Sequence, residues 1–514
     1  MEYERELVVR TAGALPVVAK LAEQVGLVEA VDRFCPIRSV ADYTHGQVVL
    51  ALVANRLTHP RPLSSFAEWG DDFAVAETLG IASCKLNDDR LGRTLDALAG
   101  RLPQVLNLVA RRAIEQFGIS IAELHWDLTH LVFTGSYEAQ EDGYPQVRRG
   151  RTPERRIVRQ VRTGLLVSGD GAVPLIAASF DGNSSDTTSV EPALARLDAL
   201  REALPDRERP PLVVGDSKLL SAANARAFEA RGLRFVCPHR KDAPMKRRLA
   251  ALAELRLAPL AYRPERHKHT GPRYLACEDA LSVAGVALRA LYVLSLDDRD
   301  AARAQRERQL GRAEEEIGKL NRGVPEYGRA AEDVERRART ILERRRVDTL
   351  TRLTVVDEDG YPQAKLERDI EAIAEAEKLD GRYCLVSNDH TLPAGELFAA
   401  YKRQHLVEGR FADFKGPLAV RPVFLHANRR IAALVAVISL ALLLYGLVER
   451  TVRRGLATLP AIEQRLLQER IGRATGRKIF DQLRSLTTVR VRDGPARLAQ
   501  PRPAQQLLLQ LLNV

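Results

Sequence analysis

Glu408 lies in the stretch 401–415, YKRQHLVEGRFADFK, with a phenol seven residues before it and a cation seven residues after it. Seven residues make almost two helical turns, so on a helix Tyr401, Glu408 and Lys415 share one stripe, with Gln404 and Phe411 between them. Proline is absent, and Leu397, Phe398, Tyr401, Leu406, Val407, Phe411 and Phe414 recur at helical spacing, which predicts one helix over residues 395–414. An acid, a phenol and a cation would then point the same way. A solvated helix face on which Glu408 pairs with a neighbouring base would have the same composition.

Two further acids need positioning. Residues 122–133 (AELHWDLTHLVF) have strand composition with Asp127 in the middle, flanked by Trp126 and Leu128. Residues 160–168 and 173–180 read as two more strands, joined by the tight turn Gly169-Asp170-Gly171, so three antiparallel strands follow one another. A helix over 190–203, a short buried strand over 211–215 ending at Asp216, a helix over 222–230 and a strand over 233–237 come next. That order predicts an α/β fold with a ribonuclease-H-like core. It places Asp216 at the C-terminal end of a strand, where open α/β sheets bind ligands. A carboxylate inside an apolar strand is costly unless it is paired or holds a metal. Each aspartate alone also has a structural reading, Asp216 as a turn or helix cap and Asp127 as an edge or paired acid.

Composition bounds the partner. The 514 residues carry 78 Lys plus Arg against 67 Asp plus Glu, a net +11 with pI near 9.5, which favours a polyanion such as nucleic acid. Between residues 148 and 162 stand seven arginines, Arg148, Arg149, Arg151, Arg155, Arg156, Arg159 and Arg162, against the single acid Glu154, a composition suited to a phosphate track. Residues 450–502 hold thirteen Lys or Arg against four acids and suit the same partner. The five cysteines are dispersed and form no Cys-x2-Cys pair, which argues for a reducing compartment and against structural zinc. The charged N-terminus MEYERELVVR lacks an apolar signal core, so no secretion is expected. Residues 431–448 run without a charge and are long enough to span a bilayer; a helix buried on all sides in a large core is the expected alternative.

The chain then divides as follows. Residues 1–118 read as helical, with apolar periodicity over 15–34, 46–56 and 102–117 and a cap at Asn87; this region is either scaffold or a module for DNA ends or dimerisation. Residues 119–238 form the first part of the core and 381–450 the last, with the Glu408 helix. The intervening 239–380 read as a mixed α+β insertion with a strand over 288–296 and a charged helical run over 300–346, broken at Gly323-Val324-Pro325. His267 and His269 within it read as loop residues. Residues 451–514 form a basic helical C-terminal region.

The spacing Tyr401, Glu408, Lys415, with HWDLTH around Asp127, SFDGNSSD at 179–186, VVGDSKLLS around Asp216 and RPVFLHANRRIAALV after Lys415, resembles the DDE transposases of bacterial insertion sequences. Within these it resembles the group whose third acid lies in Tyr-x2-Arg-x3-Glu-x6-Lys, and most of all the family called sixteen-thirty-four. The likeness covers roughly residues 123–449. Gln404 occupies the arginine position, with Arg403 a quarter turn away. The resemblance implies that Asp127, Asp216 and Glu408 are catalytic and hold two divalent ions, Mg²⁺ with Mn²⁺ as a substitute. It implies that Tyr401, Arg403, Gln404 and Lys415 lie against DNA near a transposon terminus. The partners would be double-stranded DNA, as terminal inverted repeats and target, and a second copy of the chain in a homodimer; the compartment would be cytoplasmic, with no membrane. Two alternatives stay open, a ribonuclease-H-like nuclease or resolvase without strand transfer and a DNA-binding protein whose catalytic centre has decayed.

Overall fold

Glu123–Val132 alternates its side chains, Glu123, His125, Asp127 and Thr129 on one face and Leu124, Trp126 and Leu128 on the other, and in the computed structural model it is a strand of that extent. It pairs antiparallel with Ile157–Ser168, with Asp127 opposite Leu165, and parallel with Leu212–Val214. The far side of Ile157–Ser168 is shared by Pro174–Phe180 and a short strand, Arg148–Arg151, both antiparallel to it. Glycine at 164 is required by packing, since a Cβ there would stand 2.2 Å from the Trp126 ring. Trp126 is thereby seated directly on the neighbouring strand.

Residues 7–137, 141–152, 156–185, 187–204, 210–262, 273–327, 330–418, 425–491 and 494–514 are described by the structure. Arg155, Glu154, Asp186, His267 and His269 lie outside the described residues, as do 421–424 of the stretch after Lys415. The chain forms two units, Met1–Phe235 with Lys402–Val514, and Val236–Tyr401.

The first unit holds the sheet just described, the N-terminal helices and the C-terminal region. Asn87 caps the helix Asp88–Ala99 through a bond from Arg90 N–H. The periodic run 15–34 is two helices, Leu15–Gln24 and Leu27–Phe34, because Gly26 takes the left-handed conformation at φ +57° between them. Leu7–Thr11, unforeseen in the sequence, pairs with Thr487–Val491. The uncharged run becomes Asn428–Leu456, an apolar helix of 29 residues long enough to cross a membrane, yet its most apolar 18-residue window is wholly buried. It packs against His45–Thr58, Asp88–Ala99, Pro174–Phe180, His405–Lys415 and Gly476–Leu483, which explains why it is apolar on every side.

The second unit carries an antiparallel sheet in the order Arg234–Pro238, Arg382–Ser387, Val286–Ser295, Tyr274–Val283, Ala258–Pro259, its first strand entering at Val236. The charged run becomes two long helices, Leu296–Arg322 and Ala331–Arg345. Their apolar stripes, Leu310, Ala313 and Ile317 with Val334, Ala338 and Leu342, close over a hairpin of Thr351–Glu358 and Tyr361–Arg368 that sequence reasoning did not find.

The single helix expected over 395–414 is corrected to two. Ala394–Lys402 lies in the second unit up to Tyr401, His405–Lys415 lies in the first, and Arg403-Gln404 form the turn that separates the two helices. Tyr401 therefore does not share a helical stripe with Glu408 and Lys415. The apolar spacing carries across the turn, but the side chains of Arg403 and Gln404 bond to the Asp127 strand, and those bonds end one helix and start the next.

Candidate active site

The parallel pairing ends at His125 with Val214; Asp127 and Asp216 each follow that pair by two residues, and both line one small recess. Asp127 is half-buried and Asp216 exposed. Asp127 accepts from Leu128 N–H at 2.8 Å and Asp216 from Lys218 N–H at 3.0 Å, so the latter also shapes its own turn. Trp126, Leu128, Val190, Lys218 and Leu219 complete a small recess around the two aspartates.

Glu408 reaches the same neighbourhood from the first turn of His405–Lys415, which packs on the Asp127 strand. Burial pushes the Asp127 carboxyl up to about 6; the Leu128 N–H opposes this, the charges of Asp216 and Glu408 add to it, and Lys218 pulls the other way. Arg162, half-buried, also lies in the field of both aspartates: burial lowers its pKa and the two carboxylates oppose that. It donates to Ser184 O at 2.7 Å.

The Glu408 helix is held from beneath by Arg410, only 3% exposed. Its guanidinium donates to Ala172 O at 2.7 Å and Gly171 O at 3.1 Å, in the turn before Pro174–Phe180, and to Asp413 at 2.9 Å and Glu449 at 3.1 Å. Arg410 and Glu408 are about 200° apart around the helix, so one is anchored inward while the other stays exposed.

The three predicted acids are therefore brought into one electrostatic neighbourhood. Among the described residues, however, no three His, Cys, Asp or Glu side chains form a ready-made metal cluster. Hard carboxylates suit a dication of the Mg²⁺ type, and such an ion would offset the burial and the carboxylate repulsion that together raise Asp127. The donor set fits; as they stand, the side chains would have to draw closer around an ion.

The remaining predicted residues separate. Lys415 is exposed at the end of the Glu408 helix. Tyr401, in the second unit, lies 6.3 Å from the ring of Tyr383. Gln404, half-buried, donates to Trp126 O at 3.0 Å, and Arg403, still exposed, binds Glu123 through two nitrogens, one at 2.7 Å. Arg149, Arg151 and Arg156 are exposed on and beside the short edge strand, and Arg148 is half-buried. Lys218 and the siting of Arg162 beside the acids were missed. The signal for Lys218 was a cation two residues after Asp216 in a turn; for Arg162 it was nothing more than membership of an arginine-rich stretch.

A model described as a domain of unknown function, DUF4277, matches residues 7–107, and the model of the transposase DDE domain matches residues 138–444. Asp216 and Glu408 fall inside the latter stretch, and Asp127 eleven residues before it. No curated protein matches. Among solved structures, a cryo-EM structure of a piggyBac transposase synaptic complex with hairpin DNA is 10% identical over 86% of this chain and 76% of that one, with a TM-score of 0.38. The transposase match spans more than half of the chain, two of the three clustered acids included, and on that ground the chain belongs to the family of the transposase DDE domain.

Proposed function

We propose that this DNA transposase moves its element by cut-and-paste, cleaving strands at the transposon ends and joining them to target DNA, with Asp127, Asp216 and Glu408 as the catalytic carboxylates. The observation that supports the reading is that Asp127 and Asp216 line one recess and that the charges of Asp216 and Glu408 both act on Asp127. The three would hold two Mg²⁺ ions, with Mn²⁺ able to substitute. When bound, such ions supply activation of a water or a DNA 3′-hydroxyl and stabilisation of the leaving oxygen. Asp127, the most buried of the three, is the one whose charge depends most on that neutralisation. Lys218, in the turn after Asp216, brings a cation beside the acids that suits a phosphate.

In this reading the family is sixteen-thirty-four, in the Tyr-Arg-Glu-Lys group, and the core is ribonuclease-H-like. The strand order, with antiparallel neighbours on one side of the Asp127 strand and a parallel one on the other, supports that core. Lys415, Tyr401 and the arginines of 148–156 contact phosphates, the last as a track along the duplex. The helical region 1–118 binds ends or dimerises, 239–380 is an insertion within a core made of 119–238 and 381–450, and the basic region 451–514 adds DNA contacts. The active form is a homodimer on paired inverted repeats, working in the cytoplasm.

The test mixes purified protein, a duplex bearing the element's end, Mg²⁺ and a target plasmid. Joined products are expected; cleavage without joining would favour a nuclease, and neither would favour a DNA-binding protein.

A further inference from the structure

We propose that Gln404 is a positioning residue that holds Glu408 opposite Asp127, rather than a contact to DNA. The inference rests on the catalytic reading of those two acids.

Gln404 is the residue preceding the helix His405–Lys415, and Glu408 stands one turn further on, on the same face. The Gln404 amide points into the protein. Its Nε2 donates to the carbonyl of Trp126 at 3.0 Å, and its Oε1 faces His125 Nδ1 at 3.3 Å. Trp126 is the residue immediately before Asp127 in the strand. A single side chain therefore joins the backbone beside one carboxylate to the turn beneath another.

Both ends of this tie are fixed. The Trp126 ring rests on Gly164, where no Cβ fits. His125 is fully buried, and its Nε2 meets Glu123 Oε1 at 2.9 Å. Glu123 in turn accepts from Arg403, the neighbour of Gln404, at 2.7 Å and through a second nitrogen. The amide orientation follows from its partners: the Trp126 carbonyl only accepts, so the NH2 group faces it and the oxygen faces the ring nitrogen. An arginine at this position, having donors only, could not reproduce the contact that the Gln404 Oε1 makes to His125 Nδ1. The glutamine therefore matches the histidine two residues before Asp127, and the pair forms one clasp with Glu123 and Arg403.

A tie of this kind acts on the geometry of the acids and not on the affinity for the duplex. Misplacing a reacting group by about 1 Å can cost about 100-fold in rate, whereas loss of a phosphate contact weakens binding and lowers its salt dependence. The full-length protein is compared with Gln404→Ala, Gln404→Met and Gln404→Arg, each first checked for an intact thermal transition; the methionine fills the same space should the alanine variant fail to fold. Two quantities are read: the single-turnover cleavage rate at saturating end duplex with Mn²⁺, and the Kd of that duplex by fluorescence anisotropy in EDTA. The expected result is at least a tenfold lower rate for all three, with Kd within about threefold of the parent for the alanine and methionine variants. Retained cleavage at saturating duplex with a weakened Kd would make Gln404 a DNA contact and overturn the proposal, as would full cleavage by Gln404→Arg. Glu408→Gln serves as the control. If it cleaves normally, the catalytic reading falls and this one with it; if it is inactive while the Gln404 variants are unimpaired, only the positioning role falls.

Discussion

Asp127 is held in a conflict that its function would explain. Its carboxyl is raised to about 6 first by burial and then by Asp216 and Glu408, so ionising it costs folding free energy in the metal-free protein. The sign follows directly. Because the folded-state value lies above the ordinary one, the contribution to stability is fully present below about pH 4 and is lost as pH rises through 6. Asp127→Asn removes the ionisation. In EDTA the variant should therefore be more stable than the parent at pH 8, by about 2–3 kcal/mol at most, and should have no advantage at pH 4. Calorimetric melting at the two pH values checks this, and cleavage by the same variant should be abolished while end binding persists. Glu123 has the opposite sign. Burial works to raise its carboxyl, but Arg403 and His125 outweigh it and hold it near 2. Its contribution is present above about pH 4.5 and is lost as pH falls toward 2, so Glu123→Gln should lower the urea midpoint at pH 7 and do so progressively less below pH 4.5. At this scale the sequence was readable where composition was anomalous, an aspartate between Trp126 and Leu128 and another closing a run of valines. It was not readable for Gln404, whose partners are 278 and 279 residues away and leave no local pattern.

The element that decides the site is His405–Lys415, and little in its own sequence keeps it where it is. Its apolar residues continue the spacing of the helix before it, so the break at Arg403-Gln404 is a tertiary effect imposed on a sequence that locally prefers one helix. What seats it is burial of Val407, Phe411 and Phe414 and the Arg410 network. Arg410 bridges two carbonyls of the Gly171–Ala172 turn to Asp413 and Glu449, while Glu449 also accepts from Gly476 N–H at 2.9 Å. Removing the guanidinium leaves the Glu449 and Asp413 carboxylates with a lost cationic partner in a buried setting, a change that costs about 3–5 kcal/mol. Arg410→Leu should accordingly lower the urea midpoint strongly. It should also slow cleavage even where the variant is folded, because Glu408 is two residues away on the same short helix. A stable, fully active Arg410→Leu would mean that the helix is held by its apolar face alone. Strands and helices with strong periodicity, Glu123–Val132 and Asn428–Leu456 among them, were legible because their burial is written in their own residues. The hairpin Thr351–Glu358 with Tyr361–Arg368 was not, since its alternation is diluted by charge on both faces.

For the molecule as a whole, the two features that composition left in tension, an apolar run and a basic surplus, separate cleanly in space. The run is the buried helix Asn428–Leu456, closed in by the N-terminal helices, the core sheet and the C-terminal region of the same unit. Part of the surplus charge lies outside it, on the edge of the core sheet. On the edge strand Arg148–Arg151, Arg149 and Arg151 are exposed at alternate positions and so point to the same side, with Arg156 exposed shortly beyond. Such a row is what a phosphate backbone would follow, and its contribution is measurable independently of chemistry. Binding to a polyanion releases counterions, so the logarithm of affinity falls linearly with the logarithm of salt, by about 0.9 for each phosphate neutralised on duplex DNA. Arg149→Ala with Arg151→Ala, both on exposed side chains of an edge strand, should leave the fold and the melting temperature unchanged. The pair should weaken duplex binding uniformly across sequences and reduce the salt slope by about 2 if each arginine meets one phosphate. Anisotropy titrations of end-bearing and unrelated duplexes across a salt series read both quantities. An unchanged slope would take this strand out of the DNA track and shift the search for the phosphate contacts to the basic region 451–514, whereas a loss confined to the end-bearing duplex would assign the two arginines to recognition of the ends.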